Sequence, residues 1–225
     1  GFAFGYWPLH HSVAQFKDID CITSFEIFEH LVAPYNVLRK LPKVKMFISV
    51  PLKLWFSPAF NNKNDNKKNI PTFDGNNAYQ YIVEQCNFGP RNPGSKGHKE
   101  FAIFLEKYLL EFTKNVTVQD FNYIEHITGV ERRGKTIIAQ FNIDANERLL
   151  IGAHWDTRAF ADEDPNPENR SIPILGANDG ASGTAILMEL ANVFSKNNPP
   201  IGIDLVFFDA EDVGISGQPA TYAMG

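Results

Sequence analysis

Apolar positions recur at helical spacing in two places in the middle of the chain. Ala78, Tyr79, Ile82, Val83 and Cys86 predict a helix over Asn76 to Cys86 that starts around Asp74-Gly75, and Phe101, Phe104, Leu105, Tyr108 and Leu109 predict a second over Lys99 to Phe112. Between them, Phe88 to Gly97 holds two prolines and three glycines and reads as a loop. Three strands are expected near Val116 to Ile124, Thr136 to Ile143 and Arg148 to His154, with Arg133-Gly134 as a hairpin-type turn between the first two. Leu149 to Ala153 and Ile203 to Phe208 are continuous apolar runs, the pattern of strands buried on both faces of a parallel sheet. A helical stretch, Ala181 to Ser195, separates them.

Both apolar runs stop at residues with ligand chemistry: His154-Trp155-Asp156 after the first and Asp209-Ala210-Glu211-Asp212 after the second. The helix between them opens on Asn178-Asp179-Gly180. Open α/β sheets bind ligands in the crevice outside the carboxyl ends of their strands, so this layout gathers an imidazole and several carboxylates around one crevice. Taken singly, each residue has a plain structural reading. Asp179 before a helix serves as an N-cap, and His154 at a strand end is a hydrogen-bonded histidine. Jointly they point elsewhere. His154 and Asp156 are two apart and share a side of the strand, which suits ligation or orientation of a ligand by its neighbour. Glu211 and Asp212 diverge where the strand ends, so one can hold a metal while the other handles a proton. Mixed imidazole and carboxylate donors suit zinc with an open position for water or substrate.

The first 60 residues follow a different plan: a short strand over Asp20 to Glu26, a helix over Glu29 to Leu41 and a strand over Val44 to Val50 closed by Pro51. Asn61 to Asn69 contains no apolar residue and cannot bury surface to offset its ordering entropy, which predicts a flexible linker. The expected organisation is therefore an α/β fragment over 1–60, a polar linker over 61–70 and a larger α/β domain over 71–225. Further on, Thr157 to Leu175 carries four acidic residues and three prolines. A segment of that length is expected to form a rim around the crevice. A calcium loop on Asp162, Glu163 and Asp164 lacks the EF-hand spacing and is interrupted by Pro165.

Composition narrows the classes. With 225 residues and 44% hydrophobic content the chain can build one or two globular cores. A net charge of -5 and a pI near 5.7 exclude the basic face of a general nucleic-acid binder. Cys21 and Cys86 make no disulfide framework or zinc knuckle, and Cys86 is expected as a buried thiol. No run of about 20 apolar residues predicts a membrane span. Gly1 to Pro8 does not have the order of a signal peptide, and both ends are expected to be cut from something longer. His98 and His126 have no ligand-type neighbour at metal spacing and are expected to be structural.

His154-Trp155-Asp156-Thr157-Arg158, Phe160 to Pro165, Gly176 to Gly183 and Phe207 to Asp212 together resemble the M28 zinc metallopeptidase family and, within it, the glutaminyl-peptide cyclotransferase branch. Phe88-Gly89-Pro90-Arg91-Asn92-Pro93-Gly94-Ser95 is similar to the proline-glycine segment of that branch, and the resemblance covers about residues 71 to 225. It implies a mixed, mainly parallel central sheet flanked by helices. Asp179 falls on the carboxylate that binds or bridges zinc, Asp212 on a further ligand position where many members have Glu, and Glu211 on the catalytic acid/base. His154 falls on a ligand of the second zinc in aminopeptidase members, and Asp156 is the neighbour that orients it. The family's remaining histidine ligand and a further acidic residue have no match up to Gly225, so weak zinc binding is expected.

The implied activity is conversion of the N-terminal glutamine of a peptide to pyroglutamate with release of ammonia, on one zinc ion. The alternative is a zinc aminopeptidase with two ions. Either takes a peptide with a free N-terminus, and the resemblance suggests a secreted or periplasmic setting. Ser24 to Leu31 with Phe47 to Leu52 resembles instead the C-terminal half of a class I S-adenosylmethionine-dependent methyltransferase. No strand and glycine-rich turn precede it, so it cannot build that cofactor's site alone. A plain solvated turn at Glu26, Glu29 and His30 is the expected reading, and the junction with the C-terminal part reads as a fusion.

Overall fold

The structure, a computed structural model, describes residues 21–25, 45–49 and 71–224. Two short strands, β1 (Cys21–Phe25) and β2 (Lys45–Ser49), come first. They are followed by helices α1 (Gly75–Asn87) and α2 (Lys96–Leu110) and strands β3 (Val116–Ile124), β4 (Glu131–Phe141) and β5 (Arg148–His154). Helix α3 (Ala181–Lys196) and strand β6 (Gly202–Phe208) complete the frame. The strands form one six-stranded sheet in the order β2-β1-β5-β6-β4-β3. Pairing is parallel from β2 through β1 and β5 to β6, and antiparallel from β6 through β4 to β3. This is the mixed α/β class expected, and β1 and β2 lie at the positions the apolar pattern gave them.

Register explains why the middle of the sheet is apolar. Ile137 pairs with Phe207, which pairs with Ala153; Ala139, Leu205 and Ile151 form the next row; Phe141, Ile203 and Leu149 form the third. Side chains on a strand alternate between faces, so these rows stand on one face. All nine residues are buried in a single core with Phe101, Leu105 and Leu109 of α2 and Ala185, Met188 and Leu190 of α3. The helices therefore cover that face. Next to the last row, Arg148 grips Asp204 through Nε–Oδ2 (3.0 Å) and Nη2–Oδ1 (2.7 Å), tying β5 to β6 at the end remote from the crevice.

Helix α1 is capped as the sequence suggests: the Asp74 carboxylate accepts from Asn76 N and Asn77 N. Helix α2 starts three residues before the expected Lys99. Ser95 caps it through His98 N, and Gly97 inside its first turn lets the backbone lie against the carbonyls of Phe88 and Pro90. The expected turn at Arg133-Gly134 is a correction. Both residues lie inside β4, paired with Asn122 and Phe121, and the reversal is made by residues 125–130. Gly134 is glycine for another reason: the Phe121 ring occupies the space its Cβ would take. Cys86 in α1 is half-buried rather than buried. The helix expected over 29–41, the turn at Glu26, Glu29 and His30, and the linker over 61–69 lie outside the described residues.

Candidate metal centre at the strand ends

Because β5 and β6 run parallel with His154 opposite Phe208, the residues that follow both strands leave the sheet at the same edge. Trp155 continues the ladder by one bond, its N–H donating to Phe208 O at 2.9 Å. The fully buried Asp156 then turns back toward the other strand. Its Oδ1 accepts from Glu211 N (3.0 Å) and its Oδ2 from Asp212 N (3.1 Å). A carboxylate with both oxygens committed to backbone amides is a brace. It fixes where Glu211 and Asp212 begin, a role separate from the orientation of His154 that the sequence suggested for it.

The start of that turn is held as firmly. Asp209 is fully buried and accepts from Lys135 N (2.7 Å) and Ala210 N (2.8 Å), and His98 Nε2 lies 2.8 Å from its Oδ2. The His98 ring stacks on Trp155 with centroids 4.6 Å apart. Burial pushes the Asp209 carboxyl above its ordinary range, against the lowering effect of the His98 hydrogen bond. Ala210 sits at φ 57°, a left-handed conformation that costs a non-glycine residue about 1–3 kcal/mol, and the surrounding bonds hold it there.

His154 and Asp179 come together. His154 Nε2 is 2.9 Å from Asp179 Oδ1, and Nδ1 is 3.5 Å from Asp156 Oδ1. Burial disfavours the imidazolium, but the bonds to Asp156 and Asp179 outweigh it and raise the His154 pKa well above the ordinary histidine value. Asp179 is not the helix N-cap that its position suggests. The cap is Gly180 at φ 89°, and it makes no side-chain capping bond. A Cβ at Gly180 would run into the Asp156 carbonyl, so only glycine lets the α3 start approach the β5 end this closely. The Asp179 side chain, half exposed, faces His154.

Asp212 is buried, and Arg158 Nη1 reaches its Oδ1 at 3.2 Å. Burial, reinforced by the charges of Asp179 and Asp156, pushes its carboxyl up to about 8. Glu211, half-buried, adds its charge to both Asp212 and His154. Mutual repulsion among carboxylates in a crevice is the electrostatic setting a divalent cation relieves. The donor types, one imidazole and carboxylates, fit zinc. Yet among the described residues no three His, Cys, Asp or Glu side chains are gathered closely enough to hold an ion. His154 and Asp179 touch each other, while Asp212 is engaged by Arg158. The expected convergence is therefore one of electrostatic neighbourhood, short of a finished coordination shell.

The segment expected as a rim behaves as one. Arg158 binds Asp162 through two bonds, and its guanidinium lies over the Tyr222 ring at 5.5 Å. Ser216 Oγ donates to Glu163, while Asp164 accepts from Asn166 N and Asn169 Nδ2. Each acid of the conceivable calcium loop is thus committed to a protein donor. Two residues that brace the site were not assigned there from sequence: His98 and Asp209. Asp209 carried a visible signal, standing at the strand end within the acidic run. His98 carried none, since its partner lies 111 residues away.

Residues 136–222 match Peptidase family M28. The chain is similar to the glutaminyl cyclase of Tannerella forsythia, at 39% identity and a TM-score of 0.66, over 69% of this chain and 55% of that one. It is similar to the same degree to a leucine aminopeptidase precursor from Bacteroides thetaiotaomicron: 38% identity, TM-score 0.66, 70% of this chain and 56% of that one. A curated relative from Pyrenophora tritici-repentis, named "Probable zinc metalloprotease", is 31% identical over 66% of this chain and 33% of its own length. The chain thus spans about half the length of the solved relatives and a third of that curated one. The methyltransferase resemblance of residues 1–60 finds no support in these names. Among the described residues no helix is long and apolar enough to cross a membrane.

Proposed function

We propose that this chain is part of a zinc-dependent glutaminyl-peptide cyclotransferase, with Asp179 and Asp212 as zinc ligands and Glu211 as the group that moves the proton. The observation that carries the reading is the set of mutually repelling carboxylates beside His154, at the ends of two parallel strands inside the M28-matched stretch. Zinc, when bound, supplies a Lewis acid toward the side-chain amide carbonyl of an N-terminal glutamine. The peptide's α-nitrogen forms a bond to the amide carbon and the carbon–nitrogen bond to the departing ammonia breaks. Glu211 takes the proton from the attacking amine and returns it to the leaving nitrogen. Substrate and nucleophile belong to one molecule, so holding the peptide folded supplies much of the rate. Asp156 and Asp209 do no chemistry in this scheme. They fix the backbone from which Glu211 and Asp212 project.

A zinc aminopeptidase is the second reading, and one observation favours it: His154 Nε2 is in direct contact with Asp179 Oδ1. On the residue-by-residue resemblance, that pair would hold a second ion in aminopeptidase members, with Glu211 activating water. The test offers the zinc-supplemented chain a glutaminyl peptide and a leucyl amide. Ammonia release with a cyclised product supports the cyclotransferase, and release of the leaving amine supports the aminopeptidase. Turnover of neither by a zinc-loaded chain removes both.

A further inference from the structure

We propose that Arg91 is a positioning residue that sets the spacing between His154 and Asp179 by clamping together the loops that carry them. This rests on the second reading above, in which His154 and Asp179 hold an ion between them. Arg91 is fully buried, and its hydrogen bonds go to backbone carbonyls. Nε donates to Trp155 O (3.1 Å), the residue after His154. Nη2 donates to Gly176 O (3.1 Å) and Nη1 to Leu175 O (3.3 Å), on the approach to Asp179. Nη1 also reaches Gln85 O in α1, and the Arg91 backbone N–H donates to Thr157 Oγ1 at 2.8 Å. One planar fork thus joins the exit of β5, the entry of α3 and the end of α1.

Burying a guanidinium against neutral carbonyls is costly, and an apolar side chain of similar volume would fill the space more cheaply. What the guanidinium adds is fixed geometry: its donors lie in one plane at set angles, which an ammonium on a flexible stem cannot reproduce. The loops it joins are already at the limit of approach. A Cβ at Gly176 would strike Thr157, and one at Gly180 would strike the Asp156 carbonyl. The clamp is itself braced: Ser95 Oγ donates to Pro90 O at 3.0 Å, and Gly97 of α2 packs on the Phe88 and Pro90 carbonyls. The proline-glycine segment thus acts as a rigid mount that presents Arg91 to the two loops.

The experiment compares the full chain with Arg91→Met, Arg91→Lys and a control, Glu189→Gln. Glu189 is also buried but ties α3 to Asp74 and Asn77, away from the crevice. Three quantities are read: urea unfolding, zinc affinity by chelator competition, and amide hydrogen exchange of the metal-free protein. Both Arg91 variants should fold, lose about tenfold or more in zinc affinity and exchange faster at residues 155–157 and 176–181. Lysine should fail to rescue although it keeps the charge. Glu189→Gln should lower the unfolding midpoint with zinc affinity unchanged. Folded Arg91 variants with wild-type exchange in both loops overturn the proposal, as does rescue by lysine or failure of both variants to fold. A wild-type chain that binds no zinc refutes the metal reading alone, and exchange in the metal-free protein then still decides the clamp.

Discussion

The turn after β6 and the segment from Thr157 to Leu175 both carry runs of acids, and the fold treats them in opposite ways. In the turn, Asp209 and Asp212 are buried, and burial raises both carboxyls. In the segment, Glu163 and Glu168 are exposed, while Asp162, half-buried, is paired with Arg158. The hydrogen bond from Arg158 holds the Asp162 carboxyl below its ordinary value, although partial burial opposes this. The difference teaches that an acidic run acquires chemistry from its surroundings. The same residue types form a rim where solvent reaches them, and a cation-seeking cluster where the sheet ends bury them side by side and burial outweighs the donors that Arg158 and His98 supply.

That contrast can be broken most severely at Asp179. Asp179→Ala should remove essentially all zinc affinity, about a hundredfold or more, with little change in folding because the side chain is half exposed. Chelator competition together with urea unfolding checks both halves. Next in size is Asp156→Asn. The amide can accept from one of Glu211 N and Asp212 N but presents a donor to the other, which leaves a buried N–H unpaired at a cost of about 1–3 kcal/mol. Turnover should fall along with stability, since the turn bearing Glu211 loses its brace.

A smaller effect is expected from pH. With the metal-free Asp212 carboxyl raised to about 8, its contribution to stability is fully present below the unfolded carboxylate value, about 4, and is lost as pH rises through about 8. His154, raised above its ordinary value, shifts stability in the same direction. Urea midpoints of the metal-free chain should therefore fall with rising pH, and Asp212→Asn should flatten the slope. Zinc affinity should rise over the same interval, because binding must displace the proton. Smallest is Glu163→Gln on the rim. It exchanges one exposed hydrogen bond to Ser216 and should leave both the unfolding midpoint and zinc affinity within measurement error.

Much of the frame was legible because its physics is local. Continuous apolar runs marked β5 and β6, helical spacing marked α1 to α3, and the polar residues closing each run marked the crevice edge. The turn at Arg133-Gly134 was misread because glycine in a strand and glycine in a turn look alike along the chain; only the Phe121 ring across the ladder tells them apart. Asp179 looked like a cap because capping is the common role before a helix, while the close contact that forces Gly180 into the cap involves a loop from another strand. His98 was invisible as a site residue for the same reason: its partner is set by tertiary packing, 111 residues away in the chain.

What the whole reading depends on is that Asp179 and Asp212 at the strand ends take up zinc. X-ray absorption at the zinc edge of the loaded chain tests it most directly. The expected result is a shell of oxygen and nitrogen at about 2.0–2.1 Å that disappears in Asp179→Ala, and imidazole scattering within it would favour the aminopeptidase reading, in which His154 is a ligand. A sulfur shell at about 2.3 Å, or a spectrum indifferent to Asp179, would contradict it.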